Sequence, residues 1–135
     1  MTNSVSFIIL TWNSEKYIEK CLQSILNVEN INKEIIIVDN GSSDRTKHII
    51  KNNFMNNKII TLIELDKNYG TTVSRNIGIK RSNSDYNYIC ILDSDTQVNT
   101  NALENMIKTI ELKNDYFLVG PLMYNQKNEF QVSFK

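Results

Sequence analysis

Short apolar runs alternate with amphipathic stretches along most of this chain. Five of the runs are nearly continuous in isoleucine, leucine and valine, as in strands that are buried on both faces of a sheet. They cover residues 5–10, 34–38, 59–65, 88–92 and 116–119. Strands that alternate with helices through short connections favour a mostly parallel sheet flanked by helices. The pattern therefore predicts a single α/β domain over residues 1–135.

Apolar residues at helical spacing predict helices between the strands. One stripe consists of Ile18, Leu22, Ile25 and Leu26, and a second consists of Leu103, Met106, Ile107 and Ile110. Residues 70–81 have little apolar support and predict a weaker helix. Side-chain oxygens that can cap free amide groups precede three of the helices. These N-cap candidates are Ser14, Ser43 and either Asn99 or Thr100.

Polar residues follow each of the first four predicted strands. They are Thr11-Trp12-Asn13, Asp39-Asn40-Gly41, Asp66-Lys67-Asn68 and Asp93-Ser94-Asp95. Right-handed crossovers bring the carboxyl ends of parallel strands to one edge of the sheet, where open α/β sheets bind ligands. We therefore expect one ligand site at this edge.

The dipeptide Asn40-Gly41 has two readings. It is typical of a hairpin turn between antiparallel strands. The polar stretch after it lacks the alternation of a strand, so we favour a turn from strand to helix in which Gly41 supplies the backbone freedom. Asp39 would then lie at the mouth of its strand and accept hydrogen bonds from N–H or hydroxyl groups of a ligand.

Asp93 and Asp95 come directly after the fourth apolar run. Alternate residues of an extended chain point to the same side, so the two carboxylates can converge on one hard cation. Two carboxylates do not complete a site for Mn²⁺ or Mg²⁺, and water and substrate phosphates usually supply the other ligands. The pair predicts a metal that arrives with a diphosphate, although two aspartates after a strand are often simple turn and cap residues.

Composition narrows the classes of function. The 15 basic and 15 acidic residues balance, which argues against a partner such as nucleic acid or an anionic membrane. No apolar run approaches the roughly 20 residues of a membrane span and the start lacks a signal peptide, so we expect a cytoplasmic protein with no transmembrane segment. Cys21 and Cys90 lack metal-type spacing and are expected to be reduced, packed thiols.

Four motifs follow one another between residues 5 and 96. They are residues 5–13, residues 34–44, Asn68-Tyr69-Gly70 with Arg75-Asn76-Ile77-Gly78, and Leu92-Asp93-Ser94-Asp95. In content and order they resemble the family 2 glycosyltransferases with the GT-A fold, a Rossmann-like fold that binds nucleotide-diphospho-sugars. Residues 119–133 also resemble the rhamnosyltransferase-like branch of that family. Asn40 departs from the family pattern, which often has a second acidic residue there.

The resemblance implies a role for each site residue. Thr11, Asn13 and Asp39 match positions that line the pocket of the nucleotide base, where Asp39 accepts the N–H of a uracil or thymine ring. Asn68 and Ser94 belong to the same nucleotide-sugar-binding set. The implied donor is a nucleotide-diphosphate sugar of the UDP or dTDP type.

The resemblance also implies a metal centre. Asp95 matches the direct ligand of Mn²⁺ or Mg²⁺, and Asp93 matches a residue near the ribose and the metal. Arg75 matches a position near the diphosphate, where a guanidinium suits paired phosphate oxygens. An equally good reading of Arg75 is a solvated helix residue.

The implied reaction is inverting transfer of the sugar to a hydroxyl of a saccharide or lipid-linked acceptor, as in cell-surface polysaccharide biosynthesis. The family has a general base downstream of Asp95, but the acids that follow lie in no such motif. They are Glu104, Glu111, Asp115 and Glu129. The base is therefore unknown, the acceptor portion is expected to be missing, and the 135-residue chain alone is expected to have little or no activity.

Two further expectations concern an alternative function and self-association. A non-catalytic nucleotide-sugar-binding or interaction module is the alternative to an enzyme domain. Apolar residues in the last segment, Phe130, Val132 and Phe134, are expected to be exposed because the domain is interrupted there. Such a surface predicts self-association as a homo-oligomer.

Overall fold

The computed structural model of the protein describes residues 3–112, 115 and 117–131. Its elements follow the order β1 (Ser4–Thr11), α1 (Ile18–Leu26), β2 (Asn32–Asp39), α2 (Thr46–Phe54), β3 (Ile60–Glu64), α3 (Thr71–Arg81), β4 (Tyr88–Asp93), α4 (Thr100–Glu111), β5 (Met123–Tyr124) and β6 (Phe130–Gln131). The chain divides into two compact units, one up to residue 98 and one from residue 99 onward. The single domain expected from the sequence stays a prediction.

The first unit contains a four-stranded sheet in the order β3-β2-β1-β4, and every pair of neighbouring strands is parallel. The predicted parallel sheet flanked by helices is therefore confirmed. The register sets the strand ends side by side, because Thr11 pairs with Asp39 and Leu10 pairs with Asp93. The polar residues that follow these strands consequently meet at one edge of the sheet.

Helix α3 packs against the sheet through unusually small residues. Its two buried residues are Ser74 and Gly78. A Cβ atom on Gly78 would come within 2.4 Å of Ile8 Cγ2, so the helix backbone lies directly on β1. Residues 71–81 form a full helix, although they lack the apolar stripe from which sequence periodicity predicts a helix.

Two expectations about strands are wrong. Strand β4 was expected to be buried on both faces, but its exposure alternates, and Ile89 and Ile91 are 48% and 46% exposed. One face of β4 is covered and the other is not, as is common for a strand at the edge of a sheet. The predicted fifth strand is absent at residues 117–119, and its first residue, Tyr116, lies outside the described residues.

The helix starts agree with the sequence at one of three places. The Asn99 side chain caps α4 by accepting hydrogen bonds from the amides of Asn101 and Ala102, as predicted. Helix α1 begins four residues after Ser14, so the Ser14 side chain is not its cap. Helix α2 begins at Thr46, and its amide bonds to Asp44 Oδ1 at 3.0 Å rather than to Ser43.

The second unit contains α4 and an antiparallel hairpin of β5 and β6. The rings of Tyr124 and Phe130 meet edge to face across the hairpin, with centroids 6.1 Å apart. Phe130 is exposed as predicted, whereas Val132 and Phe134 lie outside the described residues. Across the part of the chain that the structure describes, no helix is both long enough and apolar enough to cross a membrane.

Candidate functional site

Two polar side chains buried at the carboxyl edge of the sheet each have an oxygen atom without a hydrogen-bond partner among the described residues. Thr11 and Asp39 end the paired strands β1 and β2, and both are almost completely inaccessible to solvent. Asp39 Oδ1 accepts a hydrogen bond from the Ser42 amide at 2.9 Å. Asp39 Oδ2 and Thr11 Oγ1 have no hydrogen-bond partner among the described residues. Buried polar atoms without partners are rare in folded proteins, so these two are candidates for contact with a ligand.

The loop after β1 is held to the loop after β2. Asn13 has a φ of +48°, and its Oδ1 accepts hydrogen bonds from the amides of Ser43 at 2.8 Å and Asp44 at 3.4 Å. The amide oxygen of Asn13 is thus committed to the protein itself. Trp12 is 53% exposed. Its indole is therefore accessible beside Thr11.

Asn40 connects β2 to the loop that precedes α3. Its buried side-chain amide donates to Asn68 Oδ1 at 2.9 Å and to the Gly70 carbonyl at 3.4 Å, while its Oδ1 accepts from the Tyr69 amide at 2.9 Å. Asn68 Oδ1 also accepts from the Gly70 amide at 2.8 Å. Asn68 was predicted to contact the donor, and here its oxygen is used to order the loop.

Gly41 lets the same loop pack directly on the end of β2. Its φ is +76°, and a Cβ atom there would lie 2.6 Å from the Lys67 carbonyl carbon. The turn leads from β2 to α2, which confirms the strand-to-helix interpretation of Asn40-Gly41. Asn40 and Gly41 together fix the position from which α3 starts.

We expect Asn40→Asp to destabilise the protein by about 1–2 kcal/mol. An aspartate at this position would place a carboxylate against two oxygens that now accept hydrogen bonds from the amide, and a lost buried bond costs about that much. Chemical denaturation would measure the change. Asn83→Asp is the matched control and should change stability little, because the exposed Asn83 side chain, among the described residues, makes only one hydrogen bond, which it accepts from the Asp85 amide. Equal stability of Asn40→Asp and the wild type would contradict the role given to Asn40.

The two aspartates after β4 lie in a tight turn. Asp93 is the last residue of the strand, and its carbonyl accepts a hydrogen bond from the Thr96 amide at 3.0 Å. The chain is therefore not extended at residues 93–95, contrary to the expectation from the sequence. Both side chains are nevertheless exposed on one turn, and Asp95 makes no hydrogen bond or ion pair with the described residues.

This turn offers two carboxylates as possible ligands of a metal ion. Among the described residues, no group of three or more His, Cys, Asp or Glu side chains is arranged to hold a metal ion. Two carboxylates are oxygen ligands and suit a hard cation that obtains its other ligands from water and phosphate. The donor set fits Mn²⁺ or Mg²⁺ in the incomplete form predicted from the sequence.

The Arg75 side chain forms an ion pair and is therefore not a solvated helix residue without a partner. It lies in the second turn of α3, and its Nη2 contacts Asp93 Oδ1 at 2.7 Å. The side chains are 35% and 58% exposed, respectively. Arg75 Nε is buried and has no hydrogen-bond partner among the described residues. The guanidinium is thus only partly satisfied by this ion pair.

Ser94 lies buried between the two aspartates. Its hydroxyl donates to Ser14 Oγ at 2.7 Å, and the Ser14 hydroxyl donates to the Trp12 carbonyl at 3.1 Å. The Ser94 hydroxyl, predicted to contact the donor, is therefore used to hold the acidic turn against the loop after β1. Ser14 was missed as a site residue, since nothing in its local sequence distinguishes a cap from such a long-range contact.

Both cysteines are free thiols, as predicted, and Cys21 is buried whereas Cys90 is half-buried. Cys21 Sγ lies 4.0 Å from the Asp93 carbonyl. Burial, followed by the nearby charges of Asp95 and Asp93, raises the pKa of Cys21 to about 12. Burial raises the pKa of Cys90 to about 11. Both thiols stay protonated at neutral pH, so neither is an activated nucleophile.

The catalytic base stays unknown. Glu104 and Glu111 lie on α4, and Glu129 lies in the hairpin, where its Oε2 accepts a hydrogen bond from Asn125 Nδ2 at 2.7 Å. All three belong to the second compact unit, as does Asp115, whereas every candidate binding residue belongs to the first.

Residues 6–134 match the model of the family described as glycosyl transferase family 2. A poly-beta-1,6-N-acetyl-D-glucosamine synthase from Staphylococcus epidermidis is 36% identical over 104 residues, which cover 77% of this chain and 24% of the synthase. The chain therefore spans about a quarter of the length of this relative.

Solved structures agree with the family match. TarS 1–349 from S. aureus in complex with UDP-GlcNAc has a TM-score of 0.68 and 28% identity, over 81% of this chain and 31% of that one. The mannosyltransferase PcManGT from Pyrobaculum calidifontis, in complex with GDP-Man and Mn²⁺, has a TM-score of 0.69 and 23% identity, over 77% of this chain and 31% of that one. These similarities confirm the α/β GT-A fold.

Proposed function

Because the chain belongs to glycosyl transferase family 2, we propose that it binds a nucleotide-diphosphate sugar and a divalent metal for inverting transfer of the sugar to a hydroxyl acceptor. One observation carries this proposal. Strands β1 and β2 end in Thr11 and Asp39, and each of these residues has a buried polar atom with no hydrogen-bond partner among the described residues. The neighbouring strand β4 ends at the same edge of the sheet in the acidic turn of Asp93 and Asp95. Such an edge can hold a base at one end and a diphosphate at the other.

The base end of the site is assigned to Thr11 and Asp39. The free Oδ2 of Asp39 can accept a hydrogen bond from the ring N–H of uracil or thymine. A purine base presents its hydrogen-bonding groups in a different position. The exposed indole of Trp12 offers a flat surface for stacking beside it. The uridine nucleotide in TarS supports a UDP-type donor, because that protein has the same fold and 28% identity.

The diphosphate end is assigned to the acidic turn and to Arg75. Asp95 would bind the metal directly, and Asp93 would lie beside it. A bound Mn²⁺ or Mg²⁺ would act as a Lewis acid that stabilises the charge on the leaving diphosphate. Arg75 is close enough to Asp93 to share this region and can present its guanidinium to phosphate oxygens.

The acceptor side of the reaction has no assigned residues. No general base is assigned, and a positioned base typically contributes ~10²–10⁴-fold to the rate. A saccharide or lipid-linked acceptor, a cytoplasmic location, self-association and low activity of the 135-residue chain alone stay predictions. A non-catalytic nucleotide-sugar-binding module is the alternative that retains the same pocket.

A thermal-shift panel of UDP, dTDP, GDP and ADP, each with Mn²⁺, tests the assigned nucleotide class. At about 100 times its Kd a ligand stabilises the folded state by about 2.7 kcal/mol, which raises the melting temperature by several degrees. We expect that shift with UDP and dTDP and a much smaller one with GDP and ADP. Equal shifts with all four nucleotides, or none with any, would contradict the proposal.

A further inference from the structure

The ion pair between Arg75 and Asp93 occupies one of the two carboxylates assigned to the metal. Arg75 Nη2 lies 2.7 Å from Asp93 Oδ1, in the position from which a cation neutralises that carboxylate. Asp95, two residues away, is left with no partner among the described residues. The protein therefore provides its own positive charge for one half of the acidic turn.

The same ion pair is weak enough for Arg75 to exchange Asp93 for another negatively charged partner. Both side chains are partly exposed, and ion pairs in such surroundings are weak. The buried Nε of Arg75 has no partner among the described residues, so the guanidinium is bound along one edge only. A diphosphate offers two oxygens to a guanidinium, which is a stronger arrangement than a single contact with a carboxylate.

We propose that Arg75 is an internal counter-ion that neutralises Asp93 until a nucleotide diphosphate arrives, and that it thereby lowers the affinity of the site for free metal. This inference rests on the proposed function. When the diphosphate binds, Arg75 exchanges Asp93 for phosphate oxygens, and both carboxylates become available to the metal. Metal binding is thus coupled to donor binding by a residue that is not itself a metal ligand.

The expected effect is measurable because a guanidinium and a divalent ion on one carboxylate repel each other. Even at the dielectric constant of water, the repulsion between a unit charge and a doubly charged ion about 6 Å apart weakens the binding of that ion by roughly tenfold. Removal of the Arg75 charge should therefore tighten the binding of Mn²⁺ alone about tenfold. A role in merely holding Asp93 in place predicts the opposite, since its loss would loosen the site.

Titration of Mn²⁺, followed by the electron paramagnetic resonance signal of the free ion, tests this inference on the full 135-residue chain at fixed ionic strength. The wild type, Arg75→Gln and Arg81→Gln are compared, each with and without saturating UDP. Arg81 ends the same helix, so Arg81→Gln removes the same charge from the last turn of α3. Arg75→Met provides a second variant that keeps the aliphatic part of the side chain, should Arg75→Gln fold poorly by circular dichroism.

Without UDP, we expect Arg75→Gln to bind Mn²⁺ about tenfold more tightly than the wild type and Arg81→Gln to stay within about twofold. With UDP, the advantage of Arg75→Gln should disappear. An Arg75 variant that binds Mn²⁺ alone no more tightly than Arg81→Gln, or an advantage that persists unchanged with UDP, would overturn the inference. If UDP leaves the Mn²⁺ affinity of the wild type unchanged, the proposed function fails, whereas the comparison without UDP still decides whether Arg75 opposes metal binding.

Discussion

Asp95→Ala should abolish the metal dependence of nucleotide binding and leave the fold intact. Asp95 is exposed on the turn after β4 and makes no hydrogen bond or ion pair with the described residues, so its removal costs the fold little. The loss of an outer-shell partner alone typically weakens metal binding by about 10–100-fold. Loss of a direct ligand should therefore weaken UDP binding in the presence of Mn²⁺ to about the affinity that the wild type has in a chelator, a loss of at least about tenfold.

Calorimetric titration of UDP in Mn²⁺ measures this loss, and a thermal melt checks the fold. Asp85→Ala is the matched control, because Asp85 is an exposed aspartate that precedes β4 and so lies at the opposite edge of the sheet. It should bind UDP and Mn²⁺ like the wild type. An Asp95→Ala protein whose UDP affinity still responds fully to Mn²⁺ would show that the metal binds elsewhere.

Asp39→Asn should weaken uridine and thymidine diphosphates by roughly 1–3 kcal/mol. The amide oxygen can still accept the Ser42 hydrogen bond, whereas an NH₂ group would replace the free Oδ2 and face the N–H of the base. The variant should therefore fold normally and lose pyrimidine affinity. Calorimetric titration of UDP and dTDP measures the loss.

Asp66→Asn is the control for removal of a negative charge near the same edge. Asp66 follows β3, is exposed, and bonds to the Tyr69 hydroxyl, so an amide oxygen can replace its acceptor. We expect little change in UDP affinity for this variant. The assignment of Asp39 would be wrong if Asp39→Asn and Asp66→Asn bound UDP equally well.

The strand pattern and the order of the motifs were sufficient to predict the architecture and the edge that carries the site. Continuous apolar runs mark buried parallel strands, and a parallel sheet leaves its carboxyl ends together whatever the details of packing. The predicted fifth strand and the burial of β4 were exceptions. For β4, an apolar sequence such as 88–92 does not reveal which of its faces a neighbouring element covers.

The side-chain contacts within the site were beyond prediction. Asn40 and Asn68 are 28 positions apart, and Ser14 and Ser94 are 80 apart, so their hydrogen bonds exist only once the strand ends have been brought together. The assignment of Asn13, Asn68 and Ser94 to the donor stays a prediction, and the structure adds that their oxygens form hydrogen bonds within the loops. The ion pair of Arg75 with Asp93 likewise depends on how closely α3 packs, which the small residues Ser74 and Gly78 determine.

The acidic turn is proposed to bind a metal together with a nucleotide diphosphate. Calorimetric titration of UDP into the wild-type chain, with Mn²⁺ and again with a chelator, tests this proposal. We predict that the chelator weakens UDP binding at least about tenfold, because Asp93 and Asp95 would otherwise face the diphosphate as unscreened like charges. UDP affinity that is the same with Mn²⁺ and with the chelator would contradict the claim.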